Sequence, residues 1–166
     1  MTRPRVSRPQ AAPRLPQKSR LACVVSGYHE EITGAMLASA LDTLAAAGIA
    51  RARIQVVRAP GTFELPILAH ALAEQSSVAA VLCFGLVLKG ETEHDRYIAA
   101  ACAEGLMRVA LDCEKPVLFG VLTCATLAQA KRRARRASDG GLDKGREVAE
   151  AALAALASLA EIGATR

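Results

Sequence analysis

From Leu21 onward the chain alternates short, continuous apolar runs with longer stretches whose apolar residues recur at helical spacing, and few folds accommodate that order. The runs are Leu21–Val25, Ile54–Val57, Val78–Leu88 and Pro116–Leu122, rich in β-branched residues and bounded by breakers. Strands that are apolar on both sides are buried on both faces, the signature of a parallel sheet. Between them, Ile32, Met36, Leu37, Ala40, Leu41 and Leu44 mark a first helix ending at Gly48. A second helix is predicted from near Thr62 to Glu74, with Pro66 tolerated in its first turn. Thr92 to Asp95 reads as a capping box with Asp in place of Glu, starting a third helix that runs to about Asp112. Leu127, Ala130, Ala134 and Ala137 predict a fourth, and Ala149, Ala152, Leu153, Leu156 and Ala160 a fifth. The order β-α-β-α-β-α-β-α-α predicts a three-layer α/β sandwich: four parallel strands, right-handed crossovers, and ligands beyond the carboxyl ends of the strands.

The chain's 166 residues, 52% of them hydrophobic, suit one globular domain. Its net charge of +5 suggests nucleic acid, but six of the 21 basic residues (Arg3, Arg5, Arg8, Arg14, Lys18 and Arg20) crowd into the first twenty positions, where there is no acid. The remaining 15 basic residues face 16 acidic ones. Residues 1–20, which also carry Pro4, Pro9, Pro13 and Pro16, therefore read as a flexible basic tail ahead of a near-neutral domain over residues 21–166. Two tyrosines and no tryptophan leave little for base stacking, so no nucleic-acid partner is expected. Apolar stretches such as Val78 to Leu88 are too short to cross a bilayer, and no signal-peptide block follows the basic start. The expectation is a soluble cytoplasmic protein with no membrane partner. Cys23, Cys83, Cys102, Cys113 and Cys124 form no C-x-x-C pair and have no histidine at zinc-like spacing, so no metal site is expected and the thiols read as small buried hydrophobes.

Three strand-to-helix loops carry the chemistry: Ser26-Gly27-Tyr28-His29, Ala59-Pro60-Gly61-Thr62-Phe63-Glu64 and Lys89-Gly90-Glu91-Thr92-Glu93-His94. All fall on one edge of the expected sheet. They supply glycines for close backbone approach, two aromatic rings, a carboxylate, a cation, a hydroxyl and an imidazole. The third runs into a helix N-terminus, where free N–H groups favour a phosphate or carboxylate. His94, in the first turn beyond, either carries protons for a phosphorylated carbonyl substrate or is simply solvated; spacing leaves both readings open. His70 falls within the second helix, and His29, one residue past Tyr28, has nothing nearby to fix a role. In the run Lys131-Arg132-Arg133-Arg135-Arg136, Arg132, Arg135 and Arg136 point away from the apolar stripe of their helix, whereas Arg133 and Lys131 flank it. A flanking arginine can reach a neighbouring cleft to hold phosphate. Lys144 before Gly145 is either a loop cation or a ligand contact. No G-x-G-x-x-G or G-x-x-x-x-G-K-[ST] is present, so dinucleotide and P-loop readings have no support.

Three stretches resemble the lumazine synthase family. Pro60-Gly61-Thr62-Phe63-Glu64-Leu65-Pro66 is similar to its P-G-[AST]-F-E-[IL]-P motif, and Gly85-Leu86-Val87-Leu88-Lys89-Gly90-Glu91-Thr92-Glu93-His94 to its G-x-V-[IL]-[KR]-G-x-T-x-H motif. Pro116-Val117-Leu118-Phe119-Gly120-Val121-Leu122-Thr123 resembles its P-V-x-F-G-[IV]-L-T. The match continues through Gln129-Ala130, Arg133 and Lys144-Gly145 and covers roughly residues 21 to 160.

The resemblance implies a flavodoxin-like sandwich assembled into pentamers with active sites shared between adjacent subunits. It implies a condensation of 5-amino-6-(D-ribitylamino)uracil with 3,4-dihydroxy-2-butanone 4-phosphate to 6,7-dimethyl-8-ribityllumazine, without a cofactor. By it, Tyr28 stacks on the pyrimidine, Thr62, Phe63, Val87 and Leu88 line the ring pocket, and Glu64 binds the ribityl hydroxyls. Lys89 belongs to the same cationic loop, Gly90, Glu91 and Thr92 bind phosphate, and His94 transfers protons. Phe119, Arg133 and Lys144 come from the neighbouring subunit, Arg133 to meet the phosphate. A non-catalytic flavin- or lumazine-binding scaffold of the same fold is the alternative. Two departures stand out. The family's histidine is commonly followed by F-[DE]-x-V, here Asp95-Arg96-Tyr97-Ile98, so the acid aligned with position 96 is missing and Asp95 is its nearest substitute. The segment between Arg133 and Lys144 is also about three residues longer than in capsid-forming members, which predicts a pentamer or decamer in place of a sixty-subunit shell.

Overall fold

The computed structural model describes Leu15 and residues 18–164; Arg3, Arg5, Arg8 and Arg14 of the expected tail lie outside the described residues. Four strands, β1 (Arg20–Ser26), β2 (Ile54–Ala59), β3 (Val78–Leu88) and β4 (Val117–Cys124), pair in parallel in the order β2-β1-β3-β4. Five helices connect and flank them: α1 (Glu30–Ala46), α2 (Leu65–Ala73), α3 (His94–Asp112), α4 (Leu127–Ala134) and α5 (Lys144–Ala164). The result is the three-layer α/β sandwich that the alternation of runs predicts, and the flavodoxin-like fold that the resemblance implies. Strand order reverses between β1 and β3, the switch point where such sheets open a crevice.

The two faces of the sheet carry separate cores, as the pleat requires. Leu21, Cys23, Val25, Leu82, Phe84 and Leu122 pack against Met36 and Leu44 of α1 and against Ala149 and Leu153 of α5. Ala22, Val24, Val81, Cys83 and Val121 pack against Leu65 and Leu72 of α2 and against Cys102 and Leu106 of α3. Completely buried side chains of this size contribute about 1.5–3 kcal/mol each. Among the described residues no helix is long and apolar enough to cross a membrane.

Local chemistry sets the helix ends. Gly48, at φ 85°, follows α1; its N–H donates to Ala45 O and that of Ile49 to Leu44 O, while Leu44 and Ile49 share one core. That is a Schellman stop, with glycine where the backbone turns left-handed. Pro66 sits in the first turn of α2, but the helix begins at Leu65, not near Thr62, because residues 60–64 are held as a loop. The capping box expected at Thr92–Asp95 does not form: α3 starts at His94, and Thr92 Oγ1 only accepts a long 3.4 Å bond from His94 N. A side-chain cap stands instead at α4, where Thr126 Oγ1 accepts from Gln129 N at 3.2 Å and Gln129 Oε1 from Ala125 N at 3.0 Å.

Other boundaries also differ from the expected ones. β1 takes in Arg20, whose N–H donates to Ser77 O, and Leu15 packs against the α1/α5 core, so ordered contacts begin within the twenty residues read as a tail. Helix α4 ends at Ala134 rather than Ala137: the chain leaves helical geometry at Arg135, and the N–H groups of Leu142 and Asp143 fold back onto the carbonyls of Arg132 and Arg135. Helix α5 in turn starts at Lys144, five residues before its first periodic alanine.

Helices α1 and α5 meet at Gly145, where an added Cβ would lie 2.1 Å from the carbonyl oxygen of Met36. Backbone cannot rotate out of the way, so Gly145→Ala is expected to destabilise the protein by about 2 kcal/mol. At Gly34, within α1, nothing lies within 4 Å of the same added atom. Gly34→Ala should therefore stabilise by about 0.5–1 kcal/mol through helix propensity alone. Urea denaturation of the two variants, shifted in opposite directions from wild type, checks both expectations.

Candidate active site

All four strands present their carboxyl ends to one edge, and short hydrogen bonds lock the loops there to one another. Gly27 N donates to Ala59 O at 2.8 Å, joining the first loop to the end of β2. Thr62 Oγ1 donates to Leu86 O at 3.1 Å, leaning the second loop on β3. Lys89 N donates to Cys124 O at 2.9 Å, joining the third loop to β4. Thr33 Oγ1 completes the frame, donating to Ser26 O at 2.9 Å from inside α1.

Within that frame the sequence-selected residues fall into groups. The Tyr28 ring and the Glu64 carboxylate converge over Gly61: an atom added at its Cβ position would sit 2.9 Å from Glu64 Oε2 and 3.4 Å from Tyr28 Cδ2. Tyr28 is 69% exposed and Phe63 58%, two apolar rings left open at the site edge. His29, which precedes α1 at φ 57°, turns the chain there; its carbonyl accepts from the N–H groups of Ile32 and Thr33. Left-handed geometry of this kind is one that histidine, asparagine and aspartate adopt more readily than most residues. Thr62 is buried, its hydroxyl committed to Leu86, and it abuts Gly85, where any side chain would strike it at 2.9 Å. The structure thus makes Thr62 a strut that sets the height of Phe63 and Glu64. Ser26 Oγ, at the end of β1, is buried without a partner among the described residues.

The third loop opens onto a cleft of about 420 Å³ lined by Val87, Lys89, Asp95, Arg96, Ala99, Thr123, Cys124 and Ala125. Val87 and Thr123 are register partners on β3 and β4, so the cleft floor is the end of that strand pair. Leu88 is half-buried, and Lys89, which lines the cleft, and Gly90, Glu91, Thr92 and His94, which follow it in the loop, are exposed. The positive end of the dipole of a 19-residue helix therefore faces this loop. The imidazole of His94 has no hydrogen-bond or ion-pair partner among the described residues, so both ring nitrogens are open to a ligand. Arg96, standing where the family carries an acid, pairs with Glu93 at 2.5 Å. Asp95 is half-buried and lines the cleft. Sequence reading missed Thr123, Cys124 and Ala125. The signal for them was the fourth strand itself, whose carboxyl end must share the edge with the other three.

Phe119, Arg133 and Lys144 lie outside these loops. Phe119 pairs in register with Cys83 five residues before the end of β4, roughly 16 Å from the edge at strand rise, and is 41% exposed. Lys144 opens α5 beside α1 and bonds Glu147 at 2.7 Å. Arg133 is exposed, and of the three only its charge reaches the cleft lining, partly countering the upward push that burial gives the Cys124 thiol. Its neighbours Lys131 and Arg136 are spent on Glu31 at 3.1 Å and Asp42 at 2.5 Å, whereas Arg133 has no ion pair among the described residues.

Burial pushes the Cys23 thiol up to about 12 and that of Cys102 to about 11, and also raises that of Cys83, so these thiols stay protonated and non-nucleophilic. His70 sits in α2 with Glu74 at 3.6 Å, away from the edge loops. Among the described residues no cluster of three or more His, Cys, Asp or Glu side chains could hold a metal ion.

Comparison with known proteins places this arrangement. Residues 18–160 match the family model described as 6,7-dimethyl-8-ribityllumazine synthase. The chain is 44% identical over 147 residues to 6,7-dimethyl-8-ribityllumazine synthase 1 of Caulobacter vibrioides, covering 89% of this chain and 94% of that protein. It is 46% identical over 140 residues to the synthase of Stenotrophomonas maltophilia (84% and 88% covered). Against the Thermus thermophilus synthase it is 44% identical over 115 residues (69% and 73% covered). On this agreement of sequence along most of its length, the chain belongs to the 6,7-dimethyl-8-ribityllumazine synthase family.

Proposed function

We propose that this chain condenses 5-amino-6-(D-ribitylamino)uracil with 3,4-dihydroxy-2-butanone 4-phosphate, yielding 6,7-dimethyl-8-ribityllumazine, phosphate and two waters. The observation that carries this reading is the hydrogen-bonded convergence of three loops at one sheet edge, with rings and a carboxylate at one end and a cation, a helix N-terminus and an unpartnered imidazole at the other. The pyrimidine stacks on Tyr28 and Phe63 above Val87 and Leu88, and Thr62 holds that wall in place. Glu64 accepts from the ribityl hydroxyls. Lys89, Gly90, Glu91 and Thr92 receive the phosphate, chiefly through backbone N–H groups and the α3 dipole.

The 5-amino group attacks the ketone and water leaves, forming an imine. Loss of a proton from C3 expels phosphate from C4, and the resulting enol becomes a second ketone. The ribitylamino nitrogen closes the ring on it with loss of the second water. Each step moves protons at a neutral pH, the task to which an uncommitted imidazole at position 94 is suited. Most of the rate enhancement comes from holding two substrates in register and from stabilising the departing phosphate. No resident cofactor is needed for these bond changes.

The site is completed by a neighbour. Phe119, Arg133 and Lys144 lie outside the loops of their own chain, and large apolar side chains stand exposed on α3. The outer face of α3 exposes Tyr97 (73%), Met107 and Leu111, and β4 is an edge strand of the sheet. A head-to-tail contact that delivers these three side chains to the next cleft closes naturally into a ring, here a homopentamer, alone or paired as a decamer. The segment between α4 and α5 opposes further packing into a shell. It is folded, with a 3-10 turn at Ala137–Asp139, Gly140 at φ 76°, and a bond from Gly141 N to Arg136 O, so its extra charged bulk forms a fixed protrusion. A cytoplasmic setting accords with five free cysteines.

Mixing the purified protein with both substrates should give lumazine absorbance and stoichiometric phosphate release. His94→Ala should slow that turnover by about 10- to 1000-fold while binding of a pyrimidine analogue stays within twofold, because proton transfer and not affinity is lost. Wild-type rates in the variant would remove His94 from the mechanism. Light scattering should give five or ten chains of 17.4 kDa; a particle of sixty would overturn the assembly reading.

A further inference from the structure

Asp143 is a carboxylate that none of the edge loops uses, yet it is 8% exposed and holds the junction between the two cations assigned to the neighbouring cleft. Its Oδ1 accepts from Ser39 Oγ of α1 at 2.5 Å and from Arg146 N of α5 at 3.3 Å. Its Oδ2 accepts from Ala137 N, in the turn after α4, at 3.3 Å. Its own N–H donates to Arg135 O at 3.0 Å, and its carbonyl accepts from Glu147 N at 3.1 Å. One residue thereby ties together α1, the end of α4, the intervening turn and the first turn of α5.

The partners are neutral donors. The nearby cations are engaged elsewhere, Arg136 with Asp42 at 2.5 Å and Arg146 with Glu150 at 2.8 Å. Capping α5 alone would require one acceptor oxygen, which serine or asparagine supplies. Accepting from three donors on two oxygens requires a carboxylate, since an amide NH2 would confront the Ala137 N–H. The residue also lies at φ 52°, a conformation that aspartate and asparagine tolerate.

We propose that Asp143 is a positioning residue for substrate binding: it fixes Arg133 and Lys144 relative to each other so that both address the phosphate-bearing substrate of the adjoining subunit. Lys144 follows Asp143 directly, and Arg133 lies in the α4 turn whose carbonyls, Arg132 and Arg135, receive the N–H groups of Leu142 and Asp143. Releasing the carboxylate frees the segment 135–143 without disturbing Tyr28, Phe63 or Glu64, which other bonds hold. The effect should therefore fall on one substrate only. The inference rests on the reading above that Arg133 reaches the phosphate.

The test is steady-state kinetics of the full-length assembled enzyme with each substrate varied in turn, for Asp143→Asn, Asp143→Ala, Ser39→Ala and Arg133→Ala. Asp143→Asn keeps the Oδ1 bonds and loses that to Ala137. It should raise KM for the sugar phosphate about 5- to 30-fold, with kcat and the pyrimidine KM within twofold. Asp143→Ala should shift the same constant further, so that asparagine is a partial rescue, and Ser39→Ala should shift it less. Arg133→Ala raises the sugar-phosphate KM if the parent reading holds. Should Arg133→Ala do so while Asp143→Asn and Ser39→Ala do not, the positioning role is overturned and the shared site stands. Should Arg133→Ala leave that KM unchanged, both fall together. Equal losses for the two substrates in Asp143→Asn would reduce Asp143 to a fold-stabilising residue. If the Asp143 variants do not assemble, Ser39→Ala, which removes one donor from an otherwise intact junction, decides.

Discussion

Parallel pairing of β1 to β4 is the constraint on which everything else here depends. Parallel neighbours must be joined by crossovers that return each chain to the same starting edge, so all four strand-to-helix connections emerge on one side. At about 4.8 Å between strands, four carboxyl ends span roughly 14 Å, the dimension of two small molecules placed side by side. The hydrogen bonds Gly27–Ala59, Thr62–Leu86 and Lys89–Cys124 then convert a row of independent loops into one surface. Those bonds reach from loop to strand backbone, which gives the exposed side chains of the site a rigid base although little of the site itself is buried.

The chemistry asked of such a surface matches what it offers. No strained nucleophile or deeply desolvated charge is needed where the reaction consists of amine addition, eliminations and ring closure. The buried thiols are inert, and the reactive inventory is a set of exposed rings, the imidazole of His94 and the N-terminus of α3. What a single chain lacks is enclosure. Its cleft is open, its aromatic side chains Tyr28, Phe63, Tyr97 and Phe119 are at least two-fifths exposed, and Arg133 stands on a separate helix. In the ring proposed above, an adjoining subunit would supply the missing wall, and removal of water from the closed site would strengthen every charge interaction within it.

Composition and spacing were enough to establish several features. Apolar runs flanked by breakers located all four strands within one or two residues at each end, because burial on both faces leaves no polar alternation to confuse them. The switch from runs to 3.6-residue spacing gave five helices in their order, and Gly48 stopped α1 for the backbone reason that makes glycine a stop signal. The edge loops, and hence Tyr28, Glu64 and His94, followed once the strands were known to be parallel.

Tertiary structure decided what depends on partners distant in sequence. Thr92 looked like a helix cap, yet Thr126 makes the side-chain cap, since capping is settled by where the backbone turns and not by a four-residue pattern. Helix α4 stops at Ala134, although alanine at 137 continues its stripe, because the N–H groups of Leu142 and Asp143 take the carbonyls of Arg132 and Arg135. Thr62, which the resemblance puts in the ring pocket, also acts as a strut, its hydroxyl donating to a strand carbonyl 24 residues away. Asp143, unremarked within a charged loop, is the joint between α1 and α5 through a serine 104 residues earlier. The sequence by itself determined the layers and the edge, both set by local periodicity and the handedness of the chain. Which polar groups are spent on structure and which remain for substrate was decided only by folding, because a hydrogen bond depends on geometry that no spacing along the chain encodes.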